Sequence, residues 1–137
     1  MRRISEIIIH CSATPEGRHV TVEDIDRWHR QRGFDSIGYH FVIYLDGSVH
    51  KGRPTQQIGA HCKGHNANSI GICYIGGCAK DGKTAKDTRT EAQKASLVRL
   101  ITELRRQYPG ATVHGHREFA NKACPSFDVK TSGLCEL

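Results

Sequence analysis

The sequence predicts an α/β protein, a single domain with a mixed central β-sheet flanked by helices. Three observations carry this. Short β-branched runs alternate with two amphipathic helical segments, the order expected when helices cover a sheet. The run NSIGICYIGG at 68–77 is apolar almost throughout, as strands buried on both faces are. GYHFVIYLDGSVHKG at 38–52 reads as a β-hairpin, which adds antiparallel pairing to an otherwise parallel pattern.

The elements follow in order. ISEIIIHC at 4–11 is β-branched and ends at the turn-prone ATPEG, so it is a strand running from an edge into the core. TVEDIDRWHRQRG opens with Thr21 and Asp24 at capping-box spacing. Val22, Ile25, Trp28 and His29 then fall at helical spacing, and Gly33 stops the helix. In the hairpin, Asp46-Gly47 supplies the tight turn. After the buried strand, CAKDGKTAKDT at 78–88 is expected to be a mobile loop. Thr90 and Gln93 form a second capping box, and Leu97, Leu100, Ile101 and Leu104 make one stripe that ends at Tyr108-Pro109-Gly110. ATVHGH at 111–116 is a last short strand.

The chain of 137 residues suits one hydrophobic core and is short for two, so residues 1–137 are expected to form one domain. No apolar run approaches the roughly 20 residues that span a bilayer. MRRISEIIIH resembles a signal peptide only superficially, because Glu6 and His10 interrupt its apolar stretch. The expectation is synthesis in the cytoplasm without a signal peptide. The net charge of +6 favours an anionic partner such as a cell wall, but basic residues never run longer than two. No nucleic-acid motif accompanies them, so neither nucleic acid nor a membrane is expected as partner. The six cysteines contain no CxxC pair, and in a reducing compartment most serve as small buried hydrophobes.

Chemistry concentrates in HGHREFANKACPSFD at 114–128, with two histidines, a lysine and a cysteine. A catalytic zinc takes three protein ligands and keeps a fourth position open. Pro125 places Cys124 on a loop, and nitrogen and thiolate donors suit zinc. Strand alternation puts His114 and His116 on one face, so pattern alone leaves the choice between them open. A third donor must come from elsewhere, and His10, at the end of the first strand, is a candidate.

IIIHCSAT, GYHFVIYLDG, GAHCKGHNANSIGICYIGG and HGHREFANKACPSFD together resemble the zinc amidases of the peptidoglycan-recognition-protein fold, especially the lysozyme-like N-acetylmuramoyl-L-alanine amidases of bacteriophages. The resemblance runs in order from about residue 4 to residue 130. It implies one zinc ion held by His10, His116 and Cys124, with His114 as a neighbour. It also implies Tyr39 and Lys122 as catalytic residues, and His61 and Asn66 as substrate contacts in the peptide groove. The implied reaction is hydrolysis of the amide joining N-acetylmuramic acid to L-alanine in bacterial peptidoglycan.

Several residues read more plainly. His40 and His50 are expected to be structural, Cys11 to pack away from its neighbour His10, and Glu118 to have no catalytic role. A monomeric phage or prophage lytic enzyme fits, reaching the wall through a separate release route. Muropeptide recycling, a non-catalytic peptidoglycan-binding module, and an amidase that also regulates a phage polymerase are the alternatives.

Overall fold

A computed structural model describes residues 2–137. Its centre is a five-stranded sheet built from β1 (Glu6–Cys11), β3 (Phe41–Ile43), β4 (Val49–Lys51), β5 (Ser69–Tyr74) and β7 (Thr112–Gly115), in the order β4-β3-β5-β1-β7. A two-stranded parallel ladder joins β2 (Thr14–Pro15) to β6 (Gly77–Cys78). The helices are α1 (Val22–Gln31) and α2 (Glu91–Gln107). The expected mixed sheet is present: among the described residues of the five-stranded sheet, β3 and β4 pair antiparallel and the remaining neighbours are parallel.

β1 lies between β5 and β7 rather than at an edge. With a neighbour on each side, Ile7, Ile8 and Ile9 are completely buried. β5 is buried along its whole length, as its sequence indicates.

The two faces of the sheet carry separate cores. Ile7, Ile9, Ile70, Ile72 and Val113 pack with Leu97, Ile101 and Leu104 of α2. On the other face Val42, Cys73 and Ile75 pack with Ile25 of α1. At about 25 cal/mol per Å² of apolar surface, the α2 side, with its larger cluster, supplies most of the hydrophobic stabilisation.

Both capping boxes form. Thr21 accepts from the Asp24 amide while Asp24 accepts from the Thr21 amide, and Thr90 and Gln93 do the same. Gly33, at φ +94°, takes the left-handed position just after α1, and the Phe34 amide donates back to the His29 carbonyl.

The hairpin turn differs from the expectation. The Gly47 amide donates to the Tyr44 carbonyl and the Tyr44 amide to the Ser48 carbonyl, so Leu45, Asp46 and Gly47 form a three-residue loop with glycine left-handed at its end. The 78–88 segment, expected to be mobile, is held by bonds from the Ala79 amide to the Thr84 carbonyl and from the Lys86 amide to the Gly77 carbonyl. Asp81 further accepts from the amides of Lys83 and Thr84.

Candidate metal centre and groove

Parallel strands gather their carboxyl ends on one side of a sheet, where α/β proteins assemble their sites. His10 is the next-to-last residue of β1, opposite Cys73 of β5, and only 1% exposed. β7 stops at Gly115, and the chain turns into a 3-10 segment at His116–Glu118. That break resolves the choice left open by alternation. His114, still on the strand, pairs through Nδ1 with Glu118 Oε1 at 2.9 Å. His116 swings clear and meets His10, their ring centroids 4.5 Å apart.

Cys124 closes the cluster. One donor atom each from His10, His116 and Cys124 lies within 4.8 Å of the others, and the Cys124 Sγ is 3.9 Å from His10 Nδ1. Two imidazoles and a thiol suit zinc, whose tetrahedral bonds would set donors roughly 3.3–3.6 Å apart. Side-chain adjustments of about 1 Å or less therefore bring the three onto one ion. The residues present fit the metal.

The protonation states suit ligand donors. Burial, then the neighbouring His61 and His116, hold the His10 pKa well below its usual value. Burial and the Lys122 charge lower that of His116. Both rings are thus neutral and able to donate a lone pair. The Cys124 thiol is pushed up by its hydrogen bond to Cys11 and by burial, while the Cys11 thiol is lowered to about 7 by the same bond. A divalent ion beside Cys124 reverses that preference, because coordination deprotonates the thiol outright. The Cys11 amide already points at Cys124 Sγ, 3.3 Å away, to accommodate a thiolate. Cys11 packs in the core as expected, but it also supports Cys124, which its place on the opposite strand face did not suggest.

The other expected site residues surround this cluster. Tyr39, just before β3, lies 5.0 Å from the His10 ring. Burial, then the nearby cysteines, hold its phenol well above the usual range, so it stays protonated. Lys122 is exposed and lines the openings on both sides of the cluster. One opening, about 540 Å³, is lined by Tyr39, His61, Asn66, His116, Phe119 and Lys122. A smaller one, about 240 Å³, is walled by Trp28, Ser12, Tyr39 and Cys124. The two share His29, Arg32, Tyr39, His116 and Lys122, forming a groove onto which His116 and Cys124 of the cluster open.

His61 and Asn66 line the larger opening, yet much of their bonding capacity faces inward. His61 Nδ1 is 2.8 Å from His10 Nε2, and Asn66 Oδ1 accepts from the amides of His61 and Cys62. Two residues at the groove had no site role in the sequence. His29 accepts from the Gly38 amide at 2.8 Å and stands 5.3 Å from the Tyr39 ring, bracing it; helical spacing marked it only as part of a buried stripe. Arg32 borders both openings and lies over the Phe34 ring at 5.2 Å.

Comparison with known proteins agrees with this architecture. The endolysin of Escherichia phage T7 is 46% identical over 124 residues, covering 90% of this chain and 82% of that protein. The amidase LysC from Clostridium intestinale superposes with a TM-score of 0.82 at 29% identity, covering 97% of this chain and 83% of its own. A point mutant of Drosophila PGRP-LB in complex with tracheal cytotoxin gives 0.77 at 27%, covering 91% and 76%. Residues 1–127 match the family described as N-acetylmuramoyl-L-alanine amidase. With nearly the whole length matched, the chain belongs to the N-acetylmuramoyl-L-alanine amidase family.

Proposed function

We propose that His10, His116 and Cys124 hold one zinc ion, and that residues 1–137 act as one monomeric unit hydrolysing the muramoyl–L-alanine amide of peptidoglycan. The amidase activity follows from the family; the metal and the residue roles are the further step. The observation that carries it is the meeting of three neutral-capable donors within 4.8 Å, two of which, His116 and Cys124, line the groove. A non-catalytic binding groove has no need of such a trio.

When bound, zinc supplies Lewis acidity toward the amide carbonyl and brings the pKa of a water ligand to about 7. The chain's own residues do the rest. Tyr39 keeps its proton and so serves as a hydrogen-bond donor to the carbonyl oxygen as charge develops there, rather than as a base. Lys122 places a positive charge near the same point, felt at both His10 and His116. Donors preorganised in this way typically contribute about 3 kcal/mol each. The larger opening is wide enough for a short peptide, with Asn66 and Phe119 along its wall. The smaller leaves room for groups on the muramoyl side.

Similarity to a phage endolysin supports a lytic role at the cell wall after release by a separate route. No helix among the described residues is long and apolar enough to cross a membrane.

Digestion of purified peptidoglycan tests the reading. Mass spectrometry should show free stem peptides with new L-alanine amino termini, a chelator should stop their release, and added zinc should restore it. Cleaved glycosidic bonds with peptides still on muramic acid would overturn the reaction. Activity indifferent to chelation would overturn the metal.

A further inference from the structure

We infer that His61 is a positioning residue for the metal, holding His10 in the one tautomer and ring orientation that can bind it. The inference rests on the zinc reading above and extends it to a residue outside the ligand set.

His10 has two ring nitrogens with different surroundings. Nδ1 faces Cys124 Sγ at 3.9 Å, whereas Nε2 faces His61 Nδ1 at 2.8 Å. A metal on Nδ1 takes that lone pair and leaves the ring proton on Nε2. The proton then has one polar neighbour in line, His61 Nδ1, which must accept. His61 accordingly carries its own proton on Nε2, and that atom lies 3.1 Å from Ser69 Oγ. The bonds thus run in a single direction, from His10 through His61 to Ser69, with each ring N–H matched to an acceptor.

The relay is buried: His10 is 1%, His61 9% and Ser69 0% exposed. Metal-ligating histidines ordinarily donate their second N–H to a carboxylate, a carbonyl or water. Here a neutral imidazole takes that place, so its position has to be set by the fold. Three features set it. The two rings meet edge to face, at an interplanar angle of 90°. The Asn66 side chain accepts from the His61 amide at 2.9 Å and fixes its backbone. A Cβ at Gly71 would stand 2.7 Å from His61 Cδ2 and Cγ, so β5 can admit the ring only because that residue is glycine. A solvated substrate contact needs none of this.

Zinc affinity measured without substrate tests the inference, by competition between the apo-protein and a chromogenic chelator. His61→Leu removes the acceptor and should weaken zinc binding ten- to hundredfold. His61→Asn places an oxygen where Nδ1 stood and should recover affinity to within roughly threefold of the parent. The cobalt-substituted parent and Asn variant should share one visible absorption band, shifted or weakened in the Leu variant. Leu and parent affinities within twofold, or an Asn variant as weak as the Leu variant, would overturn the assignment. Should the Leu variant fail to fold, Ser69→Ala replaces it: weaker zinc binding supports the relay and parental affinity refutes it. A parent that binds zinc but cleaves no amide would sink the catalytic reading and leave this one standing, whereas a parent that takes up no zinc sinks both.

Discussion

Lys122 and Tyr39 both line the groove, and neither belongs to the donor trio. Replacing Lys122 with Met should therefore lower kcat about 10²- to 10³-fold while zinc uptake stays parental. Lost zinc with lost activity would make Lys122 a structural partner of the centre instead. His40 makes a different prediction. Its Nδ1 accepts from the Gly71 amide at 3.0 Å, and the remaining ring proton faces the Gln57 carbonyl at 2.9 Å. Burial is the largest of the effects that lower its pKa from 6.5 to about 4. The unfolded chain regains the ordinary value, so below about pH 6.5 it binds the proton first. Stability present above that pH is thus lost progressively as pH falls toward 4. Between pH 7 and pH 5 the metal-free protein should lose about 2 kcal/mol through this group. Urea unfolding at both pH values checks it: His40→Asn should shrink the difference by about that amount. The remainder comes from other histidines such as His10, His61 and His116, which burial also holds below the usual value.

At the scale of elements, α2 begins with more than a capping box. Thr90 Oγ1 donates to the Leu45 carbonyl, and Gln93 Nε2 donates to the carbonyls of Ile43 and Ile75, so the box bolts the helix to the ends of β3 and β5. Thr90→Ala should cost about 1–2 kcal/mol in chemical denaturation, towards the upper end for a cap. A loss below about 0.5 kcal/mol would show that Gln93 alone anchors the helix. Both capping boxes were legible in the sequence, because their hydrogen bonds span three residues. The hairpin was legible too, but its turn was not, since Asp-Gly serves both two- and three-residue loops. The β2–β6 ladder, two residues to a strand, leaves no periodicity to read.

Across the whole molecule, sequence pattern conveyed the mixed sheet and the apolar β5, while the place of β1 between two partners depended on pairings far along the chain. The centre divides in the same way. Residue chemistry and family resemblance together named His10, His116 and Cys124. Strand alternation could not separate His116 from His114, because it is the end of β7 at Gly115 that parts them. The link from His61 to His10 joins residues 51 positions apart and leaves no trace in local spacing.

His10 and Cys124 stand 114 positions apart, and the strand that bears His10 has both its neighbours downstream of it. Until the ribosome has passed β7, β1 lacks one of its strand partners, and until it has passed Cys124 the proposed donor trio lacks its thiol. On the zinc reading, a nascent chain stopped before that residue should have no power over the wall.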